Sequence, residues 1–170
     1  MAKQSTKLQP SGQAMLYNFL LNEVLASQLG DHHTFWIIAP WVTNFNLEHP
    51  YYVSFQEIVE TRQDSLHLFD ILHQMGANGI DIKIVVGEDT RYYSALQQLQ
   101  QQNQRIKVRK LANLHTKLYV GRCGAIDGSF NMTNGGLNKN IEFFTYYHDE
   151  RHQCELQQKA KAYFEQGESL

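Results

Sequence analysis

The order of apolar segments along the chain is the feature that most constrains its fold. Early in the chain, segments with apolar residues at helical spacing alternate with short β-branched and aromatic segments. Later, short strand-like segments follow one another directly. The pattern predicts helices over 12–29, 64–75, 89–102 and 150–164, and strands over 34–42, 80–86, 105–110, 114–121, 125–132 and 141–147. This order favours an α/β fold, with a mixed β-sheet flanked by helices on both faces.

Composition is consistent with one domain over residues 1–170. The chain is 42% hydrophobic and 19% charged, which is enough apolar sequence for a substantial core. No linker or repeat divides it, and the polar segment 1–10 is predicted to be a flexible N-terminus. The net charge of −2 argues against a generally basic, nucleic-acid-coating protein.

Membrane and secretion signals are missing from the sequence. The longest apolar run, Phe35 to Val42, has eight residues and is too short to cross a bilayer. Residues 1–13 carry no apolar stretch typical of a signal peptide. Cys123 and Cys154 lack metal-ligand spacing and are expected to be reduced thiols. A cytoplasmic protein without a membrane partner is therefore predicted.

One polar constellation stands out in the strand-rich half. His115-Thr116-Lys117 is followed by Gly128-Ser129-Phe130-Asn131. Residue alternation predicts that His115 and Lys117 share the non-core face of one strand, and that Ser129 and Asn131 share a face of the next. Glycines between the two segments favour a hairpin connection. The imidazole, ammonium, hydroxyl and amide would then lie on one side of the sheet, as a phosphodiester site requires.

These two motifs resemble the HKD signature of the phospholipase D superfamily. The run from Gly128 to Thr133 is most similar to that of the superfamily's small bacterial endonucleases. By the same resemblance, Glu142 occupies the position of an acidic residue that hydrogen-bonds the catalytic histidine. The chain departs from the family at Arg122, where the signature has an aspartate seven residues after the histidine. Because that aspartate supports the site rather than reacting, the departure leaves activity open.

The resemblance also implies a mechanism. His115 of one subunit would attack phosphorus and form a phosphohistidine, and the partner's His115 would protonate the leaving alcohol. Lys117 and Asn131 would hold the phosphoryl oxygens, with Ser129 assisting, and Glu142 would accept from His115 Nδ1. No metal and no cofactor is called for. Superfamily members build one site from two motifs, so a chain with one copy is expected to form a homodimer.

Three function classes follow. The first is a metal-independent phosphodiesterase or endonuclease acting on nucleic acid, with DNA favoured over RNA. The second is a catalytically weak nucleic-acid-binding subunit of a larger complex, similar to phospholipase-D-like proteins of DNA-modification or phage-defence systems. The third, a lipid phosphodiesterase, is the least favoured because membrane signals are missing.

Candidate substrate-binding residues lie outside the motifs as well. A basic stretch precedes and overlaps the first motif without any acid: Arg105, Lys107, Arg109, Lys110, Lys117 and Arg122. It either places Arg109 and Lys110 in a positive field at the site mouth or is the exposed face of a strand. Trp41 follows a predicted strand and either packs in the core or stacks on a base. His148 and His152 have zinc-compatible spacing, but no third ligand is apparent, so no metal site is predicted.

Overall fold

The computed structural model of the chain describes residues 4–7, 10–30, 32–47, 51–59, 65–138 and 142–170. Helices and strands alternate in the first half, and strands dominate the second. The helices are α1 Pro10–Gln28, α2 Leu68–Ala77, α3 Tyr93–Gln102, α4 Asn134–Asn138 and α5 Glu150–Gln166. The strands are β1 Gln4–Lys7, β2 Thr34–Ile38, β3 Asp81–Val86, β4 Ile106–Lys110, β5 Leu118–Val120, β6 Ala125–Gly128, β7 Phe143–Tyr147 and β8 Glu168–Ser169.

All of these strands belong to one mixed sheet. Their order across the sheet is β1-β7-β6-β5-β2-β3-β4-β8. Strands β2, β3 and β4 are parallel, whereas every other neighbouring pair is antiparallel. One edge of the sheet therefore collects the carboxyl ends of β2, β3, β4 and β6 and the amino ends of β5 and β7. We refer to this edge, which is formed by strand ends and not by an outermost strand, as the site edge.

Both faces of the sheet are covered by helices, as the sequence predicts. In β2, Phe35 and Ile37 join one hydrophobic core, which includes side chains of α1, α2 and α3. Trp36 and Ile38 join a second core, completed by α5. Because a strand alternates its side chains between two faces, a strand buried on both faces reads as a continuous apolar run. This explains the uninterrupted apolar stretch in β2.

The helix boundaries follow local signals that are visible in the sequence. Gly30 ends α1 with φ of 79°, a backbone conformation that glycine adopts without strain. The Asp149 side chain accepts from His152 N at 3.1 Å and caps α5. Helix α2 begins later than predicted, at Leu68, and residues 60–64 lie outside the described part of the chain.

The predicted strands 34–42, 114–121 and 125–132 are too long. The β-ladders cover only β2, β5 and β6, and the chain continues beyond them in irregular, partly hydrogen-bonded conformation. Within the segment 1–10 that was predicted to be flexible, Gln4–Lys7 pairs with β7. No helix in the described ranges is both long and apolar enough to cross a membrane.

Candidate active site

The first motif lies immediately before β5, at the site edge. The even-numbered residues face α5: Leu114 is 6% exposed in the core that contains α5, and Thr116 Oγ1 donates to Tyr163 Oη at 2.8 Å. His115 is exposed, and Lys117 Nζ donates to the His115 backbone oxygen at 2.8 Å. The predicted alternation of side chains between two faces is thus present, although the segment lies before the strand and not in it.

The predicted non-core face of a strand does not explain why His115 is exposed and Lys117 is half-buried. Tyr119 has the same parity, yet it is fully buried and its hydroxyl donates to Phe130 O at 2.8 Å. Its ring packs against that of Phe130, with centroids 5.0 Å apart. Tyr119 is buried because helices cover both faces of the sheet at β5. His115 is exposed because it lies beyond the end of β5.

The second motif adjoins the first through backbone hydrogen bonds. Gly128 N donates to Lys117 O at 3.2 Å, and Ser129 N donates to Phe143 O at 3.0 Å. A Cβ at position 128 would collide with the backbone of Phe143 and Phe144, so glycine is needed for this close approach. The Lys117, Ser129 and Phe143 segments therefore lie side by side at the site edge, as the predicted hairpin required.

Ser129 and Glu142 are in direct contact. The Ser129 hydroxyl donates to the Glu142 carboxylate. Ser129 Oγ also accepts from Phe143 N at 3.1 Å. The expected hydrogen bond from His115 Nδ1 to Glu142 is not among the hydrogen bonds of the described residues. That contact remains a prediction, and Ser129 is one partner that the structure gives to Glu142.

Asn131 connects the second motif to the end of β2. Its Oδ1 accepts from Trp41 N at 3.2 Å. Next to it, Val42 forms a parallel bridge with Met132, and Thr43 N donates to Met132 O at 3.0 Å. Trp41 itself is 44% exposed, so the interpretation that it packs in the core is wrong.

The carboxylate of Glu142 also affects the layer beneath the motifs. Burial raises the pKa of the Tyr119 phenol well above its usual value, and the charge of Glu142 raises that pKa further. Tyr119 therefore stays protonated and keeps donating to Phe130 O across the physiological pH range. The segment between Ser129 and Asn131 rests on this fixed hydrogen bond.

The basic residues of β4 do not join this group. Between β4 and β5 lie β2 and β3, so three strand spacings separate them, roughly 14 Å. Arg109 Nη1 donates to Phe164 O at 2.7 Å at the end of α5, and Lys110 pairs with Glu168 at 3.5 Å. Arg105 pairs with Asp81 at 2.9 Å. The interpretation of a positive field beside the motifs is therefore not supported for Arg109 and Lys110.

Arg122, the departure from the signature, lies at the opposite edge of the sheet. It belongs to the β5–β6 turn, seven residue steps along the chain from His115, which span roughly 20 Å in an extended segment. Its backbone N donates to Glu23 Oε2 at 3.0 Å, and Cys123 N donates to Glu23 Oε1 at 2.6 Å. The backbone at this position supports a turn at the edge of the sheet opposite the motif residues.

Three residues that support the motifs or the β5–β6 turn were not predicted from the sequence. Tyr163 holds the first motif, Phe143 adjoins Ser129, and Glu23 is a fully buried carboxylate beneath the β5–β6 turn. A single acid on a helix or a single aromatic residue in a strand carries no sequence signal for such a role.

His152 Nδ1 lies 2.7 Å from Asp149 Oδ1, and no described group of three or more potential metal ligands includes it.

Comparisons with known proteins concern the family and the fold of the chain. The family model described as "Cardiolipin synthase, PLD-like domain" matches residues 45–167. No curated protein matches the sequence significantly. The fold is similar to that of NucT from Helicobacter pylori (TM-score 0.67, 14% identity, 99% of each chain covered). It is also similar to that of Nuc, a phospholipase D family member from Salmonella typhimurium (TM-score 0.63, 18% identity, 99% of this chain and 97% of that chain). A third similar structure is the archaeal chromatin protein TrmBL2 (TM-score 0.61, 10% identity, all of this chain and 55% of that chain).

Proposed function

The chain belongs to the phospholipase-D-like family, and we propose that it is a metal-independent phosphodiesterase that cleaves nucleic acid. DNA is the favoured substrate over RNA. The reaction proceeds through a phosphohistidine at a site that two copies of the chain share. Cleavage within a strand, as by an endonuclease, follows from a site at an open edge of the sheet.

The observation that carries this proposal is the convergence of the two motifs. His115 and Lys117 lie beside the Gly128–Ser129 segment, and Asn131 is fixed to the end of β2. The residues that carry an imidazole, an ammonium and an amide thus lie at one edge, with His115 exposed to an incoming substrate. A nucleophile beside donors for phosphoryl oxygens is what phosphodiester cleavage needs.

The proposed reaction has two steps. His115 Nε2 of one subunit attacks phosphorus, the bond to the leaving oxygen breaks, and the partner's His115 donates a proton to that oxygen. Water then attacks the phosphohistidine, the partner's His115 takes up its proton, and the nitrogen–phosphorus bond breaks. Lys117 and Asn131 of both subunits donate to the non-bridging oxygens. Two imidazoles facing one phosphate titrate as a coupled pair.

The geometry modifies the role of Ser129. A hydroxyl has one proton, and the Ser129 proton is directed to Glu142. Ser129 therefore positions the Glu142 carboxylate instead of donating to the phosphate. Glu142 in turn accepts from His115 Nδ1 when substrate is bound, which leaves Nε2 available as the nucleophile.

The first test is phosphodiester cleavage in excess EDTA, measured by plasmid nicking and by hydrolysis of bis(p-nitrophenyl) phosphate. We expect turnover to persist, because Lys117 and Asn131 replace a metal ion in this mechanism. We expect His115→Ala to abolish it, whereas His32→Ala, which alters an exposed histidine at the opposite edge, keeps it. Activity that is lost on chelation and restored by a divalent ion would disprove the mechanism.

The shared site is tested with mixed dimers of wild-type and His115→Ala chains. One imidazole attacks and the other protonates, so a dimer with a single His115 lacks one of the two functions. We expect such dimers to be nearly inactive, whereas two independent sites would keep about half of the activity. A protein that is strictly monomeric by light scattering and still cleaves DNA would contradict the shared site.

A binding subunit without turnover is the second candidate. TrmBL2, which has a similar fold, is described as a chromatin protein with a mode of DNA binding. A protein that binds DNA with high affinity and hydrolyses neither substrate would favour this candidate, in which the chain is one subunit of a larger complex.

A further inference from the structure

Two exposed aromatic rings flank the candidate site. Five large apolar side chains are exposed among the described residues, and two of them, Trp41 and Phe143, are aromatic. Trp41 is 44% exposed and Phe143 is 59% exposed. Exposed aromatic rings are uncommon away from binding surfaces, because their burial is strongly favourable. Both of these rings lie at the site edge.

The backbone fixes each ring next to a motif residue. Trp41 N donates to Asn131 Oδ1, and Phe143 exchanges backbone and side-chain hydrogen bonds with Ser129. These contacts use main-chain atoms of the two aromatic residues and leave their rings to a ligand. Trp41 and Phe143 therefore stand on opposite sides of the Ser129–Asn131 segment, where the phosphate is proposed to bind.

The charge distribution points in the same direction. Duplex binding depends on many contacts between cationic side chains and phosphates. Three cations on or next to β4 have partners, namely Arg105 with Asp81, Lys110 with Glu168, and Arg109 with the end of α5, whereas Lys107 is exposed. The site thus presents aromatic rings for stacking beside Lys117, and not a row of cationic side chains along a double helix.

We propose that Trp41 and Phe143 stack on unpaired bases on the two sides of the scissile phosphate and so select single-stranded nucleic acid. This inference rests on the proposed function, since it places the phosphate between the two rings. Stacking tolerates any base because each base has a π-face, so the selection is for strandedness and not for sequence. In a duplex the bases are already stacked and paired, and they are not available to these rings.

The experiment measures equilibrium binding by fluorescence anisotropy in the non-cleaving His115→Ala background. The probes are a single-stranded oligonucleotide, the same sequence as a duplex, and an abasic oligomer of equal length that keeps the phosphates. Trp41→Ala and Phe143→Ala should each weaken binding of the single strand by about 5- to 140-fold. Both should affect the abasic oligomer much less. Leu29→Ala, which removes an 86% exposed apolar side chain at the end of α1, is the matched control.

A spectroscopic measurement isolates Trp41. The chain has two tryptophans, and Trp36 is buried with 3% exposure. Stacking on a base should therefore quench the Trp41 emission on addition of the single strand, and Trp41→Phe should remove the quenching while keeping most of the affinity. Equal losses of affinity for the base-bearing and abasic oligomers would overturn the proposal.

Three other outcomes are also decisive. If Phe143→Ala converts a dimer to a monomer in light scattering, Phe143 is an interface residue and the stacking role is wrong. If the wild-type protein prefers the duplex, the selection of single strands is wrong although the phosphodiesterase proposal stands. If the wild-type protein neither binds nor cleaves any probe, the proposed function itself fails.

Discussion

Replacing Glu23 by alanine is expected to destabilise the fold without altering the chemistry of the folded protein. Glu23 is fully buried in α1, and its carboxylate accepts from Arg122 N and Cys123 N in the β5–β6 turn. His33 Nε2 lies 2.9 Å from the same carboxylate. A side chain at Gly121 would collide with Glu23, so the turn and the carboxylate fit closely. One acid therefore attaches the far end of the β5–β6 hairpin to the rest of the fold.

The magnitude follows from the donors left behind. A buried donor that loses its acceptor costs about 1–3 kcal/mol, so two backbone amides give about 2–6 kcal/mol. Arg122 is exposed, and water replaces part of what its amide loses. We therefore expect the lower half of that range, about 2–4 kcal/mol. Glu23→Gln is the matched control, because its amide keeps one carbonyl acceptor and should lose about half as much.

Urea unfolding followed by circular dichroism measures the loss, and phosphodiester hydrolysis per folded molecule measures the chemistry. Glu23→Ala should lower the free energy of unfolding and leave turnover unchanged, because the turn lies roughly 20 Å from His115. Arg122→Asp, which restores the family residue, should not increase turnover for the same reason. An alanine variant as stable as the wild type, or a gain of activity in Arg122→Asp, would refute this account of the turn.

Two further predictions concern α5. Tyr163→Phe and Thr116→Val each remove the hydrogen bond that holds the first motif, and each should cost about 0.5–1.5 kcal/mol. The double variant should lose less than the sum of the two, and an additive result in urea unfolding would contradict the contact. The backbone hydrogen bond from His152, followed by its side chain, lowers the pKa of Asp149 below 3.8 in the folded protein. Because the pKa is lower in the folded than in the unfolded protein, ionised Asp149 stabilises the fold at pH values above the unfolded-state pKa. The stability difference between wild type and Asp149→Ala should therefore be full at neutral pH and shrink on acidification through the folded-state pKa.

The sequence predicted those elements whose apolar pattern is set by their own residues. Helices α1, α3 and α5 and the parallel strands β3 and β4 carry enough apolar residues to define both type and position. The limits of β5 and β6 could not be predicted, since polar alternation continues past the last ladder hydrogen bond at Gly128. Strands β1 and β8 are polar throughout, and pairing with β7 and β4 alone makes them strands.

The grouping of the motif residues could be predicted from the sequence, but the residues around them could not. His115, Lys117, Ser129 and Asn131 could be grouped because they lie in two adjacent segments of one hairpin. The fate of the basic stretch could not be predicted, because the acids that pair with it, Asp81 and Glu168, are distant in sequence. Local charge patterns do not reveal partners that only the fold brings together.

The topology explains why the motifs meet at this edge. In open α/β sheets, ligands bind beyond the carboxyl ends of the parallel strands. Here β2 ends at that edge, and the antiparallel β5 begins there, so Trp41 and Lys117 come from chain segments that run in opposite directions. In the proposed reaction one imidazole attacks phosphorus and a second protonates the leaving oxygen, so a second histidine is needed opposite the first. His115 projects from an open edge, where a two-fold related copy can approach it, and a histidine enclosed in the core could not meet its partner.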